Sequence, residues 1–479
     1  MPQPTLRTGR RRALLAAALA LFPWLPSRLD ARTGDPVVPA RSVAVSPARL
    51  ASAVDSLARA AVAETGGGVS VAIVLGDSVI LARGYGVADA GAGVAAGPET
   101  VYRAGSIAKQ FTAAALLRLA EAGRLSLDDP LSKHLPDFPL RGRAVTLRQL
   151  LSHTSGLRGY TSAPEFRRAE REDVPREWML SLLGRRGFEF APGEAWSYSN
   201  TGYYLLALVV ERASGMAYAE YVRAELARPL GLPSTADCGD AVVSVDPSRR
   251  AAGYTFAEGR LREADPISPA ATLGAGSLCA SAPDLARWAR ALATGRVVGL
   301  DAYREMTTEG RLSDGTRLGY GLGQFVGTLD GVRRVQHGGT MNGFQAQLAY
   351  YPEAGLAIAV LANHDAARPE PLERAIARLA LGAREPPARD LPLPHRDAAR
   401  YTGVYDMGGR RLRITEAREG LRMELDGELP FTLRYRGEDA FAIPLPMETL
   451  WVRFRVVDGA ARSFVLEQRG VLSPARRIG

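Results

Sequence analysis

The chain has 479 residues, 46% hydrophobic and 23% charged, which excludes a disordered chain and a polytopic membrane protein and leaves room for two or three domains. The net charge of +9 is concentrated at one end: residues 1–32 hold six arginines and one aspartate, so the remainder lies near +4. That balance removes most of the electrostatic case for a nucleic-acid or membrane-surface role.

In chain order, the basic start followed by the apolar run ALLAAALALFPWL at residues 13–25 reads as a signal peptide over residues 1–32. The expected location is therefore periplasmic or extracellular, with no membrane span once the leader is removed. The GRRR stretch is compatible with twin-arginine export, and an uncleaved anchor is the other reading of this segment. Export would place the only two cysteines, Cys238 and Cys279, in an oxidising compartment, where they either pair as a disulfide or stay as two buried thiols.

Residues 47–64 have helical spacing, with Leu50, Val54, Leu57 and Ala61 on one side. VSVAIVLGDSVILARGYG, residues 69–86, reads as a β-hairpin turning at Gly76-Asp77. From about residue 100 to 294 the pattern is mainly helical, with segments 111–122, 203–213 and 284–293 each followed by a glycine stop: Gly123, Gly215 and Gly295. Strand signals return at 319–328, 333–336, 345–351 and 355–363, and a last helix is expected over 374–381. Strands at both ends of residues 46–382 bracketing a helical middle predict one α/β (α+β) domain built on a sheet from distant segments.

Residues 383–396, AREPPARDLPLPHR, contain four prolines and read as a linker. Beyond it, residues 397–479 alternate apolar and polar positions in short runs, with hairpin signals at Asp426-Gly427 and Asp458-Gly459, which predicts a small β-barrel or sandwich.

The chemistry-bearing residues are few. There is no G-x-S-x-G elbow, no H-E-x-x-H and no clustered Cys/His metal set. Of 60 basic residues only two are lysines, Lys109 and Lys133. Lys109 lies three residues after Ser106 in AGSIAKQ, close enough on a helical face for its amine to reach the serine hydroxyl. A serine is a poor nucleophile without a base, and a desolvated lysine can be that base where an arginine cannot. Two further elements follow: Tyr198-Ser199-Asn200 in a Gly/Pro loop that enters a helix, and His337-Gly338-Gly339-Thr340 after a β run. Taken singly, the second also reads as a helix N-cap and the third as a turn.

In this order the three elements resemble the serine β-lactamase and penicillin-binding-protein superfamily, nearest its class C lactamase-like branch. LLSHTSGL (150–157), AGSLCASAPDLARW (275–288) and YYPEAGLAIAVLAN (350–363) resemble framework segments of that branch. The likeness spans residues 46–381 and implies a β-lactamase/transpeptidase-like fold with no cofactor or metal. It makes Ser106 the acylated nucleophile, Lys109 its proton-handling partner, Tyr198 base and acid, and Asn200 a substrate-orienting group. Backbone N–H groups of Ser106 and Thr340, beside Gly339, would form the oxyanion hole. The departure is His337-Gly338-Gly339 where lactamases carry Lys-Thr-Gly: a fixed cation becomes an imidazole, which near its ordinary pKa of about 6.5 would make binding of an anionic substrate fall as pH rises. The implied activity is hydrolysis of amide or ester bonds in small-molecule or cell-wall-derived peptide substrates: D-Ala-D-Ala or D-amino-acid peptides, esters or β-lactams. The alternative is a binding or sensing protein on the same fold without useful turnover.

Overall fold

Two strands of almost unbroken apolar sequence need cover on both faces, and the structure supplies it with helices on each side of one sheet. The structure, a computed structural model, describes residues 44–479 apart from 240–248, 258–259, 384–389, 408–409, 418–419, 426–429, 445–448 and 469–470. The expected signal peptide, residues 384–389 of the proline-rich linker and the Asp426-Gly427 turn lie outside the described residues.

The strands of the first part are β1 (Gly68–Leu75), β2 (Ser78–Asp89), β3 (Val94–Ala95), β4 (Tyr102–Arg103), β5 (Ala236–Asp237), β6 (Tyr254–Ala257), β7 (Arg260–Glu263), β8 (Leu278–Ala280), β9 (Phe325–Leu329), β10 (Val332–Met341), β11 (Phe344–Tyr351) and β12 (Leu356–Ala362). Seven form one antiparallel sheet in the order β3-β2-β1-β12-β11-β10-β9, so the two ends of the domain meet where β1 pairs with β12. Alternate residues of these strands serve two cores. Val71, Ile73, Ile358 and Val360 face the helices Pro47–Thr65 and Pro369–Leu381. Ala72, Val74, Ala357 and Ala359 face the helical region, where Leu285 and Trp288 of the helix Ala282–Ala293 cover them.

Local signals explain most boundaries. Ser46 caps the first helix by accepting from the Arg49 N–H, Pro47 occupies its first turn, and Gly66 ends it at φ 78°. The last helix of this part begins at Pro369, five residues earlier than its apolar pattern predicts, because prolines at its start need no backbone N–H. The β signal expected from residue 319 resolves into an irregular loop and a strand that begins only at Phe325. His337-Gly338-Gly339-Thr340 lies inside β10, not in a turn after it.

The C-terminal part is the barrel alternative. Eight strands from Gly403–Met407 to Val471–Arg477 close on themselves, the last pairing with the first at Tyr405↔Arg477. Leu412, Ile414, Leu421, Phe441, Val452 and Phe464 fill its interior. Asp458 and Gly459 turn one hairpin, both at positive φ. The barrel reaches the 310–320 loop, where Arg455 Nη1 donates to Thr316 Oγ1 at 2.9 Å, and Arg476 donates to the Glu194 carbonyl.

Cys238 and Cys279 form a disulfide that closes 41 residues. It ties β5 to β8, whose other neighbour, β4, feeds directly into Ser106. By the chain-entropy argument a loop of this size is worth about 4 kcal/mol, with typical measured values of about 2–4. Reduction, or Cys279→Ser, should therefore lower the unfolding free energy by that amount, read as a fall in the denaturant midpoint of the full chain; an unchanged midpoint would mean that the three-stranded sheet holds without the bridge.

Candidate active site

Ser106 sits in a 3₁₀ turn, Gly105–Ile107, that opens into the helix Ala108–Glu121. Residues three apart eclipse in a 3₁₀ turn, so Lys109 is carried back over Ser106, with Nζ 3.1 Å from Oγ. Ser106 remains partly open to solvent while Lys109 is fully buried.

The turn docks on β10 through two glycines. A Cβ on Gly339 would stand 1.9 Å from the Ala104 carbonyl oxygen, and one on Gly105 would stand 2.8 Å from the Thr340 nitrogen. Gly105 also lies at φ 54°, which a larger residue adopts only with strain. β9 covers β10 only from Val332 to Gln336, so the docking edge is the half that carries His337 to Met341. The Ser106 and Thr340 backbone nitrogens thereby come to neighbouring positions at one gap.

Burial holds the Lys109 amine well below its ordinary pKa, which favours the uncharged form. Its neighbours suit that form. Two carbonyl oxygens, Asn200 Oδ1 at 2.8 Å and Ala275 O at 2.6 Å, accept its two N–H bonds, leaving the lone pair for the Ser106 hydroxyl. The rings of Tyr198 and Tyr203 pack at 4.8 and 5.3 Å from Nζ. Tyr198 hydrogen-bonds Ser106, and burial raises its phenol above the ordinary range, so it keeps its proton at neutral pH.

Asn200 opens the helix Asn200–Ser214, but the N-cap alternative is not realised. Ser199 makes no side-chain cap bond, its Oγ is buried without a hydrogen-bond partner, and the Asn200 side chain turns to Lys109. Ser106, Lys109, Tyr198 and Asn200 thus meet in one place, with Gly339 and Thr340 alongside. Lys133 stands apart in an exposed ion pair with Asp129.

His337 differs from its expectation. Its Nδ1 lies 2.6 Å from the Gly338 carbonyl and its Nε2 3.2 Å from the Tyr320 hydroxyl, so both ring nitrogens are occupied within the protein. Burial, and after it the neighbouring Lys109, push its pKa down to about 3. The transition near pH 6.5 is therefore not expected of this imidazole.

Tyr320 also hydrogen-bonds His153 Nε2 at 3.2 Å, and His153 Nδ1 accepts the Ser199 N–H at 3.1 Å. The backbone groups at the two ends set the polarity of the whole chain. Ser199 N–H can only donate, so His153 carries its proton on Nε2 and gives it to Tyr320; Gly338 C=O can only accept, so His337 carries its proton on Nδ1 and accepts from Tyr320 at Nε2. His153 further stacks on the Tyr198 ring, 4.3 Å between centroids, and holds a positive φ of 61°, an uncommon conformation for a non-glycine residue. Sequence reasoning missed both residues as site components. LLSHTSGL was noted only as framework, and Tyr320 carries no local motif.

Residues 54–383 match the family described as Beta-lactamase, 330 of the 479 positions. The chain is 28% identical over 399 residues to penicillin-binding protein 4* of Bacillus subtilis, covering 78% of this chain and 86% of that protein. Among solved structures it resembles the octameric penicillin-binding protein homologue from Pyrococcus abyssi, with TM-score 0.64, 25% identity, and 89% of this chain and 100% of that chain covered. It also resembles a D-stereospecific amidohydrolase from Streptomyces sp., with TM-score 0.59, 28% identity, and 69% and 98% covered. With the fold, the disulfide-tied serine turn and the buried lysine already in view, this chain belongs to the beta-lactamase family of serine hydrolases and penicillin-binding proteins.

Proposed function

We propose that the protein is an exported hydrolase that forms an acyl-enzyme on Ser106 and cleaves amide or ester bonds, with D-amino-acid amides and peptides and simple esters as its substrate class. The observation that carries this reading is the bonding of Lys109: a buried amine with two carbonyl acceptors and one remaining position facing a partly exposed serine hydroxyl. The similarity to a D-stereospecific amidohydrolase supports the choice of substrate.

In the proposed reaction the Ser106 hydroxyl gives its proton to the neutral Lys109 amine as Oγ attacks the substrate carbonyl carbon. The oxyanion that forms faces the N–H groups of Ser106 and Thr340, each such donor being worth about 3 kcal/mol of barrier. The opposite shifts of Lys109 and Tyr198 favour lysine as the base and the phenol as the donor to the leaving amine or alkoxide. The phenol regains its proton from the Lys109 ammonium, and water then releases the acyl group with Lys109 again as base. This assignment moves the role of base from Tyr198, where the resemblance put it, to Lys109. Asn200 orients the substrate while its Oδ1 holds the lysine. The barrel is read as a cap or docking module.

Incubating the mature protein with a fluorescent penicillin and with an activated ester should leave a covalent mass increment that Ser106→Ala abolishes. Turnover of the ester separates a hydrolase from the alternative of a sensor that is acylated and not released. No Ser106-dependent adduct with either probe would sink the acyl-enzyme reading.

The lysine makes a separate prediction with a definite sign. Because burial lowers its pKa, Lys109 is a competent base at neutral pH, and kcat/KM for a neutral ester should fall only as acid protonates it. Lys109→Arg should cost about 10²–10⁴-fold in kcat, since a guanidinium cannot take the proton. Retention of activity in that variant, with the acid limb unmoved, would assign the base elsewhere.

A further inference from the structure

A family member with Lys-Thr-Gly at this strand presents a fixed cation beside the reacting serine; here the strand presents His337, and what that ring can do depends on its neighbours. The groups that face it are Tyr320 from the loop before β9, Phe325 from β9, Tyr198 from the loop before the helix Asn200–Ser214, and Lys109 from the helix Ala108–Glu121. His153 stands behind Tyr320. No carboxylate acts on the ring among the described residues, so nothing nearby would stabilise an imidazolium. Its exposure is 2%, and both nitrogens are engaged, one to its own strand and one to Tyr320.

We propose that Tyr320 is a specificity-determining residue: by donating to His337 Nε2 it locks the third-motif imidazole as a neutral, inward-bonded group, so that the site takes acyl substrates lacking a carboxylate at the end that meets this motif. The inference rests on the hydrolase reading above and goes beyond it by naming which substrates are refused and which side chain refuses them. A free imidazole at this position would offer a proton to a substrate carboxylate in mild acid. The Tyr320 hydroxyl removes that option: His153, its ring fixed by the Ser199 N–H, donates to it from the far side, Tyr203 beside it gives its own proton to the Leu151 carbonyl, and the His337 Nε2 lone pair is left with Tyr320 as its donor. Protonating Nε2 would turn the Tyr320 hydroxyl away and bury a cation next to Lys109. Tyr320 thus acts through His337, as a positioning residue, without touching the substrate.

The test uses a pair of substrates that differ only at one end, a D-alanyl peptide as its free carboxylate and as its carboxamide, with the full chain and with Tyr320→Phe. In the native protein the ratio of kcat/KM for carboxylate to carboxamide should be low and flat between about pH 5 and pH 8, since the ring does not titrate there. In Tyr320→Phe the ratio should rise by about tenfold or more as pH falls below about 6.5, the ordinary imidazole value. A loss of packing alone would lower both substrates together and leave the ratio flat, which overturns the proposal. Nitrogen-15 spectra of histidine-labelled native protein give a second readout: His337 should appear as the Nδ1–H tautomer with an unprotonated, accepting Nε2, and an Nε2–H tautomer or an imidazolium at neutral pH overturns the lock even where the variant does not fold. If neither substrate is turned over, the hydrolase reading fails, and the same pair compared as ligands by calorimetry still decides the preference: equal affinities overturn it, and preference for the carboxamide supports it.

Discussion

An amine without water is the constraint on which the rest of this site depends. Moving an ammonium from water to a protein interior costs several kcal/mol even after relaxation, and the group answers by shedding its proton or by gathering acceptors. Lys109 does both. Its acceptors come from positions 200 and 275, far from it in sequence, and its aromatic cover comes from positions 198 and 203. None of these can move independently: shifting the helix that begins at Asn200 removes one carbonyl, and shifting the segment before β8 removes the other. The first two motifs of the sequence meet at this nitrogen, the third docks on the serine turn through Gly339, and the disulfide at Cys279 secures the strand beside it.

The same dependence explains which parts of the protein were legible in the sequence. Helices and strands that bury one stripe or one face announce themselves by period, and the helix Pro47–Thr65 and the β1–β2 hairpin were read almost to the residue. One sheet built from both ends of the domain was also readable, and the pairing of β1 with β12 is where those ends meet. One boundary was missed because the apolar pattern begins late: Pro369 opens the last helix five residues before the expected 374. The glycine pair at 338–339 was open to a close backbone approach or to a turn, and β10 uses Gly339 for the approach, since a Cβ there would strike the Ala104 carbonyl.

At the site, chemistry that depends on neighbours in sequence was legible and chemistry that depends on neighbours in space was not. Ser106 and Lys109 are three residues apart and their meeting can be argued from helix geometry, while Tyr198 and Asn200 are two apart in a loop that enters a helix and stand out only as a short motif. His153, Tyr320 and His337 lie at separations of 167 and 17 residues, and only their side chains meet. A histidine met alone in a sequence is assigned an ordinary pKa and a titratable role. In the fold it becomes a link between a tyrosine hydroxyl and a carbonyl oxygen. The substitution of histidine for lysine at the third motif is thus incomplete as a statement about function until its hydrogen-bond partners are known.

The barrel enters through the same residues. It is closed, so it offers no sheet edge to a partner strand, and two arginines on its outer face reach loops of the first part. Arg455 holds Thr316 and Arg476 holds the Glu194 carbonyl. Thr316 lies four residues before Tyr320, and Glu194 four before Tyr198. The two loops are also tied to each other, since Ser313 donates to the Gly193 carbonyl and Leu312, Leu318 and Tyr320 pack against Trp196. Exposed polar and ionic contacts of this kind contribute about 0–1 kcal/mol each, too little to weld two domains together. The loops they touch are the ones that deliver the Tyr198 phenol to Ser106 and the Tyr320 hydroxyl to His337. The barrel thus touches the chain four residues before each of the two aromatic side chains that meet at the site.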